Sequence, residues 1–143
     1  MSSQSVEDYL ESIYRIIEKK GYARTTDLAK ALNLTPSSVT GMFKKLADEG
    51  YVNYEKYGGI TLTEKGRLLA HKIDGRHKTL SRLLMVLGVP EEIADEDACR
   101  IEHNVSKKTM DVLKKLLEFM QHCKLHPEWM KHFEHYLEKG TCP

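Results

Sequence analysis

The chain has 143 residues, 41% of them hydrophobic, which suffices for one compact domain or two small ones and is too apolar for a disordered tail. Its apolar runs fall far short of the roughly 18 residues of a membrane span and no basic stretch leads into an apolar one near Met1, so a soluble, cytoplasmic protein without a membrane partner is expected. The net charge of +1, from 22 Lys and Arg against 21 Asp and Glu, conceals a neutral first part (1–35), a +4 middle (36–82) and a −3 end (83–143), so an anionic partner would meet the middle.

Over residues 5–20, Val6, Tyr9, Leu10, Ile13, Ile16 and Ile17 recur every three or four positions. This predicts an amphipathic helix with Ser5 as N-cap and Glu7 and Asp8 in its first turn, ended by Gly21. A short helix follows over 26–32, capped by Thr25 or Thr26, until Asn33-Leu34-Thr35 breaks the period. Pro36 opens a third helix whose Val39, Met42, Phe43 and Leu46 form an apolar stripe before Gly50. The period then becomes alternating, with Val52 and Tyr54, then Ile60 and Leu62, on either side of Lys56-Tyr57-Gly58-Gly59, which reads as a β-hairpin. A long helix capped by Thr63 runs to Leu87 and Gly88; Gly75 inside it costs about 1 kcal/mol relative to Ala, so packing must carry it. Pro90 opens a helix to about Asn104, Ser106 caps another to about His122, and Pro127 opens a last one ending near Gly140. The expected fold is mainly α with a small β-hairpin wing.

Helix, short helix, turn, helix and hairpin is the layout of a winged helix-turn-helix, expected over 1–70, with a helical domain over 71–143. The helix from Pro36 is the recognition helix, its solvent side presenting Ser37, Ser38, Thr40, Gly41, Lys44 and Lys45. Short hydroxyls near a helix N-terminus let phosphate oxygens approach the backbone closely, and Thr40 is placed best for a base edge. Thr26 on the preceding helix and Lys56 and Tyr57 at the hairpin tip complete the DNA-contacting set. The alternative, a packing motif whose Ser/Thr run is only a cap, requires both the hairpin and the basic middle to be accidents.

Three cysteines, Cys99, Cys123 and Cys142, point to free thiols or metal ligands and not to a disulfide framework. Cys99, Glu102 and His103 stand at i, i+3 and i+4 of a predicted helix, so thiolate, carboxylate and imidazole share one side. Asp8 and Glu11 are at i, i+3 on the flank of the first helix, and His77 lies on the side of the long helix shared with Leu80 and Leu84. Singly, Asp8 answers a helix dipole, His77 is a core histidine and Cys99 a small buried hydrophobe. Together, six donors on three helices suit a divalent ion, because only Arg100 lies beside them as a neutralising cation.

The order of elements, the phrase Glu7-Asp8-Tyr9-Leu10-Glu11-x-Ile13-Tyr14, the Pro36-Ser37-Ser38-Val39-Thr40 helix start and Ile101-Glu102-His103 together resemble the diphtheria-toxin-repressor family, its manganese-transport-regulator branch above all. The resemblance runs from about Ser5 to about Glu118. It implies a homodimeric transcriptional repressor, activated by Mn2+ or Fe2+, that binds double-stranded operator DNA and controls metal homeostasis, with no enzymatic activity. It also implies metal ligation by Asp8, Glu11, His77, Cys99, Glu102 and His103, and the short form without the SH3-like third domain of the iron branch. The manganese branch usually has a carboxylate where Cys99 stands, and the iron branch has cysteine there but methionine at the position of Asp8. The set is therefore a hybrid, and its thiolate admits Co2+ or Zn2+ as well. Some relatives carry a Cys-Pro-His segment near Cys123 and His126, making that pair an ancillary metal site or else an incidental part of a His-rich helix end. Leu80, Leu83 and Leu84 are expected in the core, and Ile101, Val105, Met110, Val112, Leu113 and Leu116 at a two-fold interface. The rival function is a winged-helix regulator that answers a small organic ligand or oxidation of Cys99.

Overall fold

In the computed structural model, which describes residues 4–55, 59–122 and 127–143, the described residues form seven helices and a hairpin in the expected order. These are α1 (Gln4–Lys20), α2 (Thr25–Leu32), α3 (Pro36–Asp48), β1 (Val52–Glu55), β2 (Gly59–Leu62), α4 (Glu64–Val86), α5 (Glu91–Ile101), α6 (Lys107–His122) and α7 (Pro127–Lys139). The chain divides into two compact units, Met1–Gly75 and Arg76–Pro143.

The first unit is a winged helix-turn-helix organised by burial of one apolar stripe per element. Val6, Tyr9, Leu10 and Ile13 of α1 pack with Leu28 and Ala29 of α2, Val39, Phe43 and Leu46 of α3, Val52 and Ile60 of the hairpin, and Ala70 of α4. Removing such side chains from water contributes about 1.5–3 kcal/mol for each large one. α1 already includes Ser5, so that serine is not its N-cap; Gly21, at φ +87, closes the helix as its N–H donates to the Ile17 carbonyl at 2.7 Å. The cap of α2 also differs from expectation, being Arg24 and neither threonine. The cause is Asp27, whose Oδ2 accepts from the Arg24 N–H at 3.1 Å and so draws both threonines into the first turn. Asn33, at φ 54, ends α2, and Thr35 caps α3 by accepting from the Ser38 N–H at 3.3 Å, with Pro36 at the first helical position.

The hairpin pairs Val52 with Leu62 and Tyr54 with Ile60. Ala23 adds a bridge to it, its N–H and carbonyl exchanging bonds of 3.0 and 2.7 Å with Ile60, so the wing is tied to the α1–α2 connection. Lys56 and Tyr57 lie outside the described residues. Thr63 caps α4 as expected, accepting from the Gly66 N–H at 3.1 Å and donating to the Gly50 carbonyl at 2.6 Å. At Gly66 a Cβ would stand 1.9 Å from the Tyr51 carbonyl oxygen, so this crossing requires glycine.

The second unit comprises the second half of α4 with α5, α6 and α7. Leu80, Ala98 and Met110 form its core, with Ile101, Val105 and Leu113 packed against them. α5 stops at Ile101, earlier than expected, leaving Glu102 as its C-cap in right-handed helical conformation and His103 in the turn beyond. Ser106 caps α6, accepting from the Thr109 N–H at 3.2 Å. Of the residues expected at a two-fold interface, Met110 is buried in this unit's core, Ile101, Val105 and Leu113 are partly buried against it, and Val112 and Leu116 are exposed. Val112 lies two residues from Met110 and Leu116 four beyond Val112, which puts both on the opposite side of α6 together with exposed Phe119. No helix among the described residues is long and apolar enough to cross a membrane.

Candidate metal centre and nucleic-acid face

Three short pieces of the second unit supply the centre: α4 provides His77, the end of α5 provides Cys99, and the turn after it provides Glu102 and His103. Because Glu102 keeps helical backbone angles and its N–H still donates to the Ala98 carbonyl at 2.9 Å, the i, i+3 relation to Cys99 survives past the helix end. The ligand-type atoms of His77, Cys99 and Glu102 lie within 4.8 Å of one another. His77 Nδ1 is 2.8 Å from Glu102 Oε2 and 3.6 Å from Cys99 Sγ, while His103 Nε2 is 3.2 Å from Glu102 Oε1.

Electrostatics favour a cation here. Glu102 is 1% exposed, and a desolvated carboxylate is costly without strong compensation. Arg100, the cation expected to serve it, is exposed and stands 3.6 Å from Asp97 instead. Arg76 reaches Glu102 only through its backbone carbonyl, to which it donates at 3.3 Å. Buried Oε1 accepts no hydrogen bond among the described residues. Glu102 thus joins two groups, with His77 and Cys99 at its Oε2 and His103 at its Oε1; these donor types suit divalent transition ions, and the thiol favours softer members of that series.

Asp8 and Glu11 occupy α1 of the first unit, Asp8 half-buried and Glu11 5% exposed, deeper than a flank position suggests. Arg15 Nη2 stands 3.2 Å from Glu11 Oε1, and its Nε 3.6 Å from Asp74 Oδ1, so one guanidinium holds two buried carboxylates. The i, i+4 spacing of Glu11 and Arg15 was a usable signal for that contact. Nothing local marks Arg76 or Asp95, whose Oδ1 lies 2.5 Å from His77 Nε2, because these contacts join distant parts of the sequence. Cys123 and His126 lie outside the described residues, and Cys142 is exposed.

On the first unit, α3 buries Val39, Phe43 and Leu46 and leaves Pro36, Ser37, Ser38, Gly41, Lys44 and Lys45 exposed, as its periodicity requires. Thr40 is only half-exposed, and its hydroxyl donates to the Pro36 carbonyl at 2.9 Å, so it faces a ligand as an acceptor and a methyl group. Thr26 is exposed and shares a concavity with Arg24, Tyr54 and Glu55, which brings the start of α2 and the wing to one side of the unit.

Two family models cover most of the chain. "Iron dependent repressor, N-terminal DNA binding domain" matches residues 1–60, and "Iron dependent repressor, metal binding and dimerisation domain" matches residues 63–131. An uncharacterised HTH-type transcriptional regulator of Methanocaldococcus jannaschii is 52% identical over 118 residues, 81% of this chain and 94% of its own length. The HTH-type transcriptional regulator MntR of Geobacillus kaustophilus is 41% identical over 140 residues, 98% of this chain and 99% of its own. Among solved structures, the manganese regulator SloR matches with a TM-score of 0.69 and 31% identity over 80% of this chain, which spans 54% of that longer one.

Proposed function

This chain belongs to the iron-dependent repressor family, and from that premise we propose that it is a homodimeric transcriptional repressor which binds double-stranded operator DNA when loaded with Mn2+ or Fe2+ and so controls metal-ion homeostasis. The observation that carries the proposal is the clustering of His77 and Cys99 with Glu102, whose other oxygen faces His103, in the second unit of a chain whose first unit is a winged helix.

Asp8 and Glu11 complete the ligand set. What supports this is their chemistry, two hard carboxylates that add the oxygen donors Mn2+ and Fe2+ prefer, and their match to ligand positions in the resembling family. When bound, the ion supplies positive charge to buried carboxylates and a fixed coordination geometry. The residues do the rest. Asp8 and Glu11 would hold the ion from α1, which is part of the winged helix, so a filled site would tie α1 to the ligands of the dimerisation domain and limit the positions open to the recognition helices. A dimer reading a palindrome needs those helices about 34 Å apart. Ligation by these residues would favour the binding-competent spacing, with a coupling of roughly 1–3 kcal/mol that acts equally in reverse.

Pro36, Ser37, Ser38, Thr40, Lys44 and Lys45 of the recognition helix, with Thr26 and the hairpin-tip residues Lys56 and Tyr57, form the DNA-contacting set. Their support is exposure of the helix residues and the basic middle of the sequence. Cys123 and His126 are proposed as an ancillary metal pair. Catalysis has no part in this function: the relatives are transcriptional regulators, and the chain carries no HExxH, GxSxG, P-loop or GxGxxG sequence. Work on DNA places the protein in the cytoplasm.

Equilibrium dialysis under anaerobic, reducing conditions tests the proposal, using Mn2+, Fe2+ and Zn2+ with the natural protein and with Glu102→Ala, alongside operator binding. Stoichiometric uptake by the natural protein alone, with operator affinity rising as metal loads, is expected. Operator binding that is identical with and without metal in both proteins would overturn it and favour the organic-ligand or thiol-oxidation alternative.

A further inference from the structure

We propose that Asp95 is a positioning residue for the metal centre: its carboxylate holds the His77 ring in the tautomer and orientation that aim the Nδ1 lone pair at the ion. The inference rests on the assignment of His77, Cys99 and Glu102 as ligands. The imidazole is gripped from both sides. Nδ1 faces Glu102 Oε2 at 2.8 Å and Cys99 Sγ at 3.6 Å, and Nε2 faces Asp95 Oδ1 at 2.5 Å. Asp95 and Cys99 are one turn apart on α5, so a single helix supplies both the partner of the far nitrogen and a ligand beside the near one.

A neutral imidazole carries one proton and one free lone pair, and coordinates only through the nitrogen that lacks the proton. With an ion on Nδ1 the proton is confined to Nε2, where Nε2–H donates to Asp95; without the ion, Glu102 at 2.8 Å from Nδ1 competes for the same proton. The same hydrogen bond stops the ring from flipping about its Cβ–Cγ bond and makes Nδ1 a stronger donor, the usual role of a carboxylate behind a metal-bound histidine. Asp95 contributes little to the fold. Its side chain is 61% exposed, against 5% for that of His77, and ion pairs at such solvated positions add little stability. Its placement therefore matters through the ring it directs.

The test uses the full-length dimer and its Asp95→Ala and Asp95→Asn variants. Mn2+ and Co2+ affinities come from competition with a fluorescent chelator, Cys99 ligation from the Co2+–thiolate absorption band, and the His77 Nε2–H hydrogen bond from the imidazole N–H signal in NMR spectra of the Zn2+-loaded protein. We expect Asp95→Ala to weaken metal binding by about 10- to 100-fold with unchanged stoichiometry and an unchanged band per bound Co2+. Its His77 Nε2–H signal should be lost to exchange with solvent, whereas the natural protein keeps a protected, downfield one. Asp95→Asn, which keeps an acceptor oxygen, should fall between, and it decides the matter if the alanine variant fails to fold. Affinities equal within about twofold, or an Nε2–H signal unchanged by Asp95→Ala, would overturn the inference. So would loss of a whole equivalent of metal, since Asp95 would then be a direct ligand. Failure of the natural protein to bind metal at all would sink the ligand assignment together with this inference; binding unaffected by the variants would sink this inference alone.

Discussion

Cys99 is the residue at which the ligand set departs from an all-oxygen-and-nitrogen one. Its sulfur stands 3.6 Å from His77 Nδ1 and is half-buried, so it is close enough to share an ion with the imidazole. Replacing thiolate by hydroxyl removes the softest donor, so Cys99→Ser should lower affinity for Zn2+ and Co2+ by at least about tenfold more than affinity for Mn2+, measured by competitive metal titration. Equal losses for all three ions would place Cys99 outside the coordination sphere. Asp27 offers a pH signature distinct from the metal's. The Lys20 ammonium that donates to it chiefly holds its carboxyl below the ordinary value of 3.8; burial opposes this, and the Arg24 N–H adds a weaker downward pull. A lowered folded pKa means stabilisation that is complete above the ordinary carboxylate range and vanishes as pH falls through the folded value. Lys20 is more than half exposed, so solvent screening limits the ion pair, and Asp27→Asn should cost only about 0.5–1 kcal/mol at pH 7. Urea unfolding of the metal-free proteins should show that gap close in acid; a gap that persists there would assign it to packing.

At the level of elements, α4 depends on the close crossing of its first turn over Tyr51. Gly66→Ala would drive a methyl group into the Tyr51 carbonyl, so either that turn moves or the helix start does, at a cost of roughly 3 kcal/mol or more in unfolding free energy. A change below about 1 kcal/mol would mean that the crossing is easily displaced. The recognition helix yields a second prediction. Lys44 is exposed on α3, so Lys44→Ala should weaken binding to operator and random DNA alike and reduce the slope of log affinity against log salt by about one. An effect confined to operator DNA would make Lys44 a base-reading residue.

The helices were legible because each buries one stripe, so Val6, Leu10 and Ile13 or Val39, Phe43 and Leu46 announce themselves at helical spacing. Their ends were less so. Asp27 overrode two threonines as the device that starts α2, and the period of α5 runs on through Glu102 although the helix proper stops at Ile101. The wing's tie to Ala23 is backbone pairing, which leaves no side-chain pattern to read. The site divides in the same way. Cys99, Glu102 and His103 were visible together because one helical turn spans them, whereas the His77–Asp95 contact joins positions that only tertiary packing brings close. Periodicity marks an apolar face without saying what covers it: Met110 is buried in the unit's own core, with partly buried Leu113 packed against it.

At the scale of the whole molecule, the two units divide the labour the charge distribution suggests. The winged helix carries the basic stretch and the exposed α3 side chains, and the second unit carries the ligand cluster together with the apolar Val112, Leu116 and Phe119 side of α6. The central claim is that metal at the cluster is coupled to DNA binding, so operator binding must in turn tighten metal binding by the same factor. The most direct measurement is operator affinity, by fluorescence anisotropy at fixed ionic strength, across a series of buffered free Mn2+ or Fe2+ concentrations for the natural protein and Glu102→Gln. Affinity rising by about 5- to 150-fold in the natural protein, reversed by chelator and absent from Glu102→Gln, is the predicted result. An operator affinity independent of metal, or an equal rise in Glu102→Gln, would contradict the account.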